Sequence, residues 1–212
     1  MNNSNQPILN ATQRVLLKKA SLHKLLSLVD ALAGSLDNFV DKMIQDQIHT
    51  DLWKQNAISE AAAEALQRMD NLTVAEMRPI NDVTERQRKQ LQAELELKGG
   101  LDAIILQNAM QMLLSEKLNV LQIIATDDPD LLRAALILPS GKHLVLKGDP
   151  KKVEIIETAL AKHMLGEDGY AEFVTNDRKL NVLRDLRTHF EKLQAEFGNK
   201  SVGIKKQLRG AA

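Results

Sequence analysis

At 212 residues the chain is long enough to bury a substantial core, and 44% apolar with 26% charged residues is the balance of an ordinary globular protein. Cysteine is absent, which excludes disulfides, thiolate zinc sites, iron–sulfur clusters and cysteine nucleophiles. Aromatics at 3% leave the core to Leu, Ile, Val, Ala and Met, a composition that suits helix-on-helix packing better than a β-sandwich.

The net charge of zero hides an asymmetry. Residues 1–29 carry Arg14, Lys18, Lys19 and Lys24 and no acid, and the segment after Glu196 carries Lys200, Lys205, Lys206 and Arg209, again without an acid. Taking those eight from the 28 basic residues leaves 20 against 28 acids, so the middle carries about −8. Basic ends on an acidic body are either solvated or reach for an anionic partner such as nucleic acid. No run approaches the roughly 18 apolar residues of a membrane span. The opening "MNNSNQPILN" lacks the basic start and apolar block of a signal peptide. A cytoplasmic location is the expectation.

Helical periodicity begins near Thr12. Val15, Leu22, Val29, Leu36 and Met43 recur every seven residues, with Leu25, Leu32 and Phe39 as the second set of a heptad. Leu26, Ala33 and Val40 widen the stripe to that of a bundle helix. The heptad phase survives Gly34-Ser35 and predicts one long helix reaching past Trp53. An Ala-rich helix follows, with Leu66, Met69 and Met77 as its larger apolar groups, and Pro79 is expected to end it. Asn81 or Asp82 then caps a polar helix, "VTERQRKQLQAELELK", which stops at Gly99-Gly100. "LDAIILQNAMQMLLSEKL" leaves little polar face and reads as the most buried helix of the chain.

The pattern then changes. "NVLQIIA", "LLRAALIL" and "HLVLK" are short apolar runs separated by the turn signals "TDDPD" and "PSGK", which predicts a three-stranded β-meander. Gly141-Lys142 sits where nucleotide-binding loops hold a phosphate. However, Leu136 occupies the place of the required upstream glycine, and His143 replaces the hydroxyl residue after the lysine. Pro139-Ser140-Gly141-Lys142 therefore reads as a hairpin turn. Asp149-Pro150 supplies an N-cap and a first-position proline for a helix with Val153, Ile156, Leu160 and Met164 on one face, closed by Gly166 and Gly169. "YAEFV" is a further strand or a first helical turn. A last helix carries Leu183, Leu186, Phe190, Leu193 and Phe197 as a second heptad seam.

These elements predict a mainly α protein: a long-helix bundle or coiled coil over residues 1–117, a small α+β unit (β-meander plus helix) over 118–176, and a closing heptad helix with a basic tail over 177–212. The five histidines are scattered and the acids show no calcium-loop spacing, so no metal ligands stand out. No nucleophile elbow is present. No catalytic residue, cofactor or small-molecule ligand is inferred, and a non-enzymatic role is expected.

The expected function is that of an assembly or adaptor protein, acting through a homo-oligomer or a helical protein partner. Its interface would be the two seams: Val15, Leu22, Leu25, Val29, Leu32, Leu36, Phe39 and Met43 on the first, and Leu183, Leu186, Phe190 and Leu193 on the second. The alternative is a nucleic-acid-binding regulator that uses Lys18, Lys19, Lys142, Lys147, Lys151, Lys152, Lys205, Lys206 and Arg209.

Overall fold

The computed structural model describes residues 8–210, with side chains described for residues 8–200. The described residues form eight helices and no strand. In order these are α1 (Ala11–Lys19), α2 (His23–Gln45), α3 (Asp51–Glu94), α4 (Gly100–Ser115), α5 (Val120–Thr126), α6 (Pro129–Ile137), a short π-helix (Gly141–Val145) and α7 (Pro150–Gly210). The chain divides into two compact units, one of Met1–Asn81 with Asn176–Ala212, the other of Asp82–Thr175.

In the first unit α1 opens with a reciprocal cap. The Asn10 side chain accepts from the Gln13 amide, and the Gln13 side chain accepts from the Asn10 amide, both at 2.9 Å. It closes at Ser21, whose φ of 58° lets the Leu22 amide reach back to the Leu17 carbonyl at 2.9 Å. Leu17 and Leu22 are both buried, the apolar contact that accompanies such a helix end. This reversal separates α1 from α2, so the heptad beginning at Val15 is interrupted. Asp46 ends α2: its carboxylate accepts from the amides of Ile48 and His49, the α3 N-terminus follows at Asp51, and the helix expected to run past Trp53 is a helical hairpin. Leu25, Leu26 and Val29 of α2 share a core with Leu66 and Met69 of α3 and with Leu183, Leu186 and Phe190 of α7. Each fully buried leucine of this kind contributes about 2 kcal/mol.

Pro79 does not stop α3, which continues to Glu94. A proline inside a helix removes one backbone hydrogen bond and crowds the carbonyl four residues before it, a cost that this long helix bears at an exposed position. The division between the two units falls shortly after it.

The second unit is where the sequence reading fails. The expected β-meander is not present. "NVLQIIA" is α5, "LLRAALIL" is α6, "HLVLK" contributes the π-helix, and "YAEFV" lies inside α7. Local capping decides the first two. Asn119 accepts from the Leu121 and Gln122 amides while Gln122 accepts from the Asn119 amide, a complete capping box. In "TDDPD" Asp127 takes the left-handed conformation that ends α5. Asp128 then caps α6, and Pro129 fills its first turn.

All six residues from Leu131 to Leu136 are buried, so α6 is covered on every side and shows no polar face to betray its helical period. Around it pack Leu106, Met110 and Leu113 of α4, Ile123 of α5, Leu146, and Ile156 and Leu160 of α7. Gly141 turns no hairpin. It begins the π-helix, whose Leu146 amide donates to the Gly141 carbonyl at 3.0 Å, and it lies directly against the α6 backbone. Asp149-Pro150 does start α7, and Gly166 (φ 72°, ψ 164°) breaks that helix where the sequence placed a stop.

Candidate functional site

The two seams meet in the core of the first unit. Leu22, Leu25, Val29, Leu183, Leu186 and Phe190 are buried there, and Leu32 and Leu193 pack at its edge. Leu36, Phe39 and Met43, on the last turns of α2, are half-buried, and Val15 is exposed. Ile44, Ile48 and Trp53 are exposed around the α2–α3 corner, with the His49 ring stacked on Trp53 at 3.9 Å between centroids. The Asp46 carboxyl in this corner is held down to about 2, first by the hydrogen bond from the Ile48 amide and then by His49.

In the second unit α4 is covered on one side only. Leu106, Met110 and Leu113 face the core. On the opposite side Leu101 is 75% and Ile104 56% exposed, with Ile105 and Met112 also exposed along the same stripe. The helix read as the most buried of the chain therefore presents an outer face on which large apolar side chains alternate with the exposed amides of Gln107, Asn108 and Gln111.

The basic residues are dispersed. Lys18 and Lys19 are exposed in the last turn of α1, where cations complement the helix dipole. Lys142, Lys147 and Lys151 are exposed and Lys152 is half-buried. The side chains of Lys205, Lys206 and Arg209 lie outside the described residues. Lys147 and Lys152 line one groove together with Lys117, which periodicity did not reveal. The groove has a volume of about 530 Å³ and a floor and walls of leucine and valine, including Leu114, Leu118, Leu121, Leu144 and Val145. A second apolar hollow in the first unit lies between Leu28, Leu32 and Leu72.

One charged cluster also escaped the sequence. Arg133, only 5% exposed, stands alone in the buried face of α6. Its guanidinium donates to both Asp102 carboxylate oxygens at 2.8 and 2.9 Å, to the Glu94 carbonyl at 2.7 Å and to the Glu96 carbonyl at 3.3 Å. Asp102 also accepts from the Lys98 amide at 2.9 Å. The Arg133 hydrogen bond, followed by that of Lys98, holds the Asp102 carboxyl down to about 2. A lone arginine inside "LLRAALIL" was the available signal, because a buried guanidinium requires a carboxylate. The arrangement fastens the end of α3 and the start of α4 to α6, and four hydrogen bonds engage most of the five guanidinium donors.

Among the described residues no group of three or more His, Cys, Asp or Glu side chains is placed to hold a metal ion, and no helix is long and apolar enough to cross a membrane. A scan against models of known families, a search of curated proteins and a search of solved structures each return no match for this chain.

Proposed function

We propose that this protein is a non-enzymatic assembly protein that works by docking helices, and that its docking surface is the outer face of α4 paired with a second copy of the chain. The observation that carries this reading is the bare stripe of Leu101, Ile104, Ile105 and Met112, opposite a face already committed to the core. Four large apolar side chains uncovered along one helix face call for a partner. Asn108 is exposed within the same stripe. Asn108 and the exposed Gln111 one turn further on are satisfied well by the same amides of an identical helix, which favours self-pairing over a purely apolar foreign partner. The seam residues of α2 and α7 serve the core of the first unit in this scheme and leave α4 as the contact.

Light scattering on a size-exclusion column tests the proposal. The wild type is expected to elute with a mass above that of one 23.6 kDa chain and to dissociate on dilution. Leu101→Glu with Ile104→Glu is expected to yield a monomer with unchanged helical circular dichroism, because both side chains are already exposed. A wild type that stays monomeric at high concentration, or a double variant that still assembles, defeats the reading.

A further inference from the structure

We infer that the lysine-rimmed groove of the second unit is a docking site for an acidic segment of another protein, one that carries leucine-type side chains among Asp and Glu. Two properties of the groove define its occupant. The apolar lining of Leu114, Leu118, Leu121 and Leu144 accepts aliphatic side chains. The charges on its edge are all of one sign: Lys117, Lys147 and Lys152 line it, no carboxylate does, and none of the three is ion-paired among the described residues.

The three lysines come from separate elements, namely the turn after α4, the turn after the π-helix and the first turn of α7. Negative charge is therefore needed at several places along the occupant, as an acidic peptide supplies it and a single headgroup does not. Nucleic acid matches the charge but has no aliphatic groups for the lining. The chain's own ends do not qualify, because residues 1–29 and 197–212 contain no acid.

The backbone fixes where two of these lysines stand. Lys117 (φ 53°) and Lys147 (φ 54°) both occupy the left-handed conformation. Lys117 closes α4 in the position where glycine is usual, with the Leu118 amide reaching back to the Leu113 carbonyl at 3.1 Å. Ser21 and Asp127 hold the same conformation elsewhere, so what marks the groove is that both of its left-handed positions carry lysine.

The test is fluorescence anisotropy of the full-length protein with a fluorescein-labelled synthetic peptide of roughly a dozen residues, its leucines at helical spacing and Asp or Glu elsewhere. Saturable binding is expected, weakening as salt rises. Lys147→Glu with Lys152→Glu is expected to weaken it about tenfold or more, and Leu144→Asp likewise. Lys117→Gly gives a readout that a purely structural role would not move: thermal stability rises while peptide affinity falls.

The idea fails if the acidic peptide does not bind, if a peptide with Lys in place of Asp and Glu binds equally well, or if the charge reversal leaves affinity unchanged. It fails also if vesicles containing phosphatidylserine, or single-stranded DNA, bind in a lysine-dependent way and the peptide does not. The α4 variant Leu101→Glu with Ile104→Glu is expected to keep its peptide affinity, so loss of assembly and loss of peptide binding are distinguishable.

Discussion

Gly141→Ala is expected to destabilise the second unit by roughly 3 kcal/mol, because the added methyl group has no space and its neighbours have no freedom to yield. A Cβ at Gly141 would lie 2.5 Å from the Ala134 carbonyl oxygen, 2.7 Å from the Ala135 Cα and 2.7 Å from the Ala135 carbonyl oxygen. These are backbone atoms of α6, the helix enclosed on all sides, so relief requires moving the centre of the core rather than rotating a side chain. Gly148→Ala is the matched control. It has open space around it but a φ of +66°, and its cost is the left-handed strain alone, about 1 kcal/mol.

Urea denaturation separates the two substitutions, and the chain carries convenient reporters. The single Trp53 belongs to the first unit and the single Tyr170 to the second. The Gly141→Ala midpoint shift is expected in the signal of Tyr170. Equal shifts for the two alanine variants would show that close approach to α6 is not what Gly141 provides.

Arg133→Ala is expected to cost a similar amount, roughly 3 kcal/mol, for a different reason: it strands a carboxylate and two carbonyls that the guanidinium now satisfies. The clamp also predicts how the fold responds to acid. The Asp102 carboxyl ordinarily titrates near 3.8 and is held at about 2 in the folded chain, so the folded state favours its ionised form. The stability it contributes is complete above about 3.8 and is lost as the pH falls through about 2.

Denaturant midpoints measured at pH 5, 3 and 2 are expected to fall over that interval in the wild type. They are expected to fall less in Arg133→Ala and in Asp102→Asn, which lack the charged pair. The second variant keeps one acceptor oxygen and is the milder of the two at neutral pH. An Arg133→Ala protein as stable as the wild type at pH 7, with the same acid response, would remove the clamp from the account.

The elements that residues and spacing located best are those whose signals are local or strongly periodic. Asp149-Pro150 announces α7, and Gly166 interrupts it. The apolar spacing of Ile156, Leu160, Leu183, Leu186 and Phe190 picks out side chains that are buried. Asp128-Pro129 has the same capping chemistry as Asp149-Pro150, and Asn119 with Gln122 has that of a capping box, yet the first reads as a turn between strands and the second lies inside a run that reads as a strand. The ambiguity is physical. A helix of nine residues buried on all sides has no polar face, so α6 shows neither the period of a helix nor that of a strand. The cap of α6 and the strong helix propensity of its Leu, Arg and Ala residues then carry the information about type.

The candidate surfaces lie further from the sequence still. Lys147 and Lys152 were noticed as basic residues, but the groove that joins them to Lys117 is built from three turns that approach one another only in the folded unit. The bare stripe on α4 has the same origin: "LDAIILQNAMQMLL" places large apolar residues on both faces and says nothing about which one the core will take. Composition and periodicity by themselves determined that this is a cysteine-free, aromatic-poor, predominantly helical chain with two apolar seams, because those properties are written in residue types and in spacings of three and four. Only the tertiary structure decided that the short apolar runs are helices packed around α6, that Gly141 is a point of close approach, and that Leu101, Ile104 and the lysine-rimmed groove face outward. Each of those outcomes depends on which surfaces are buried against which, and burial is a property of the assembled unit rather than of any segment within it.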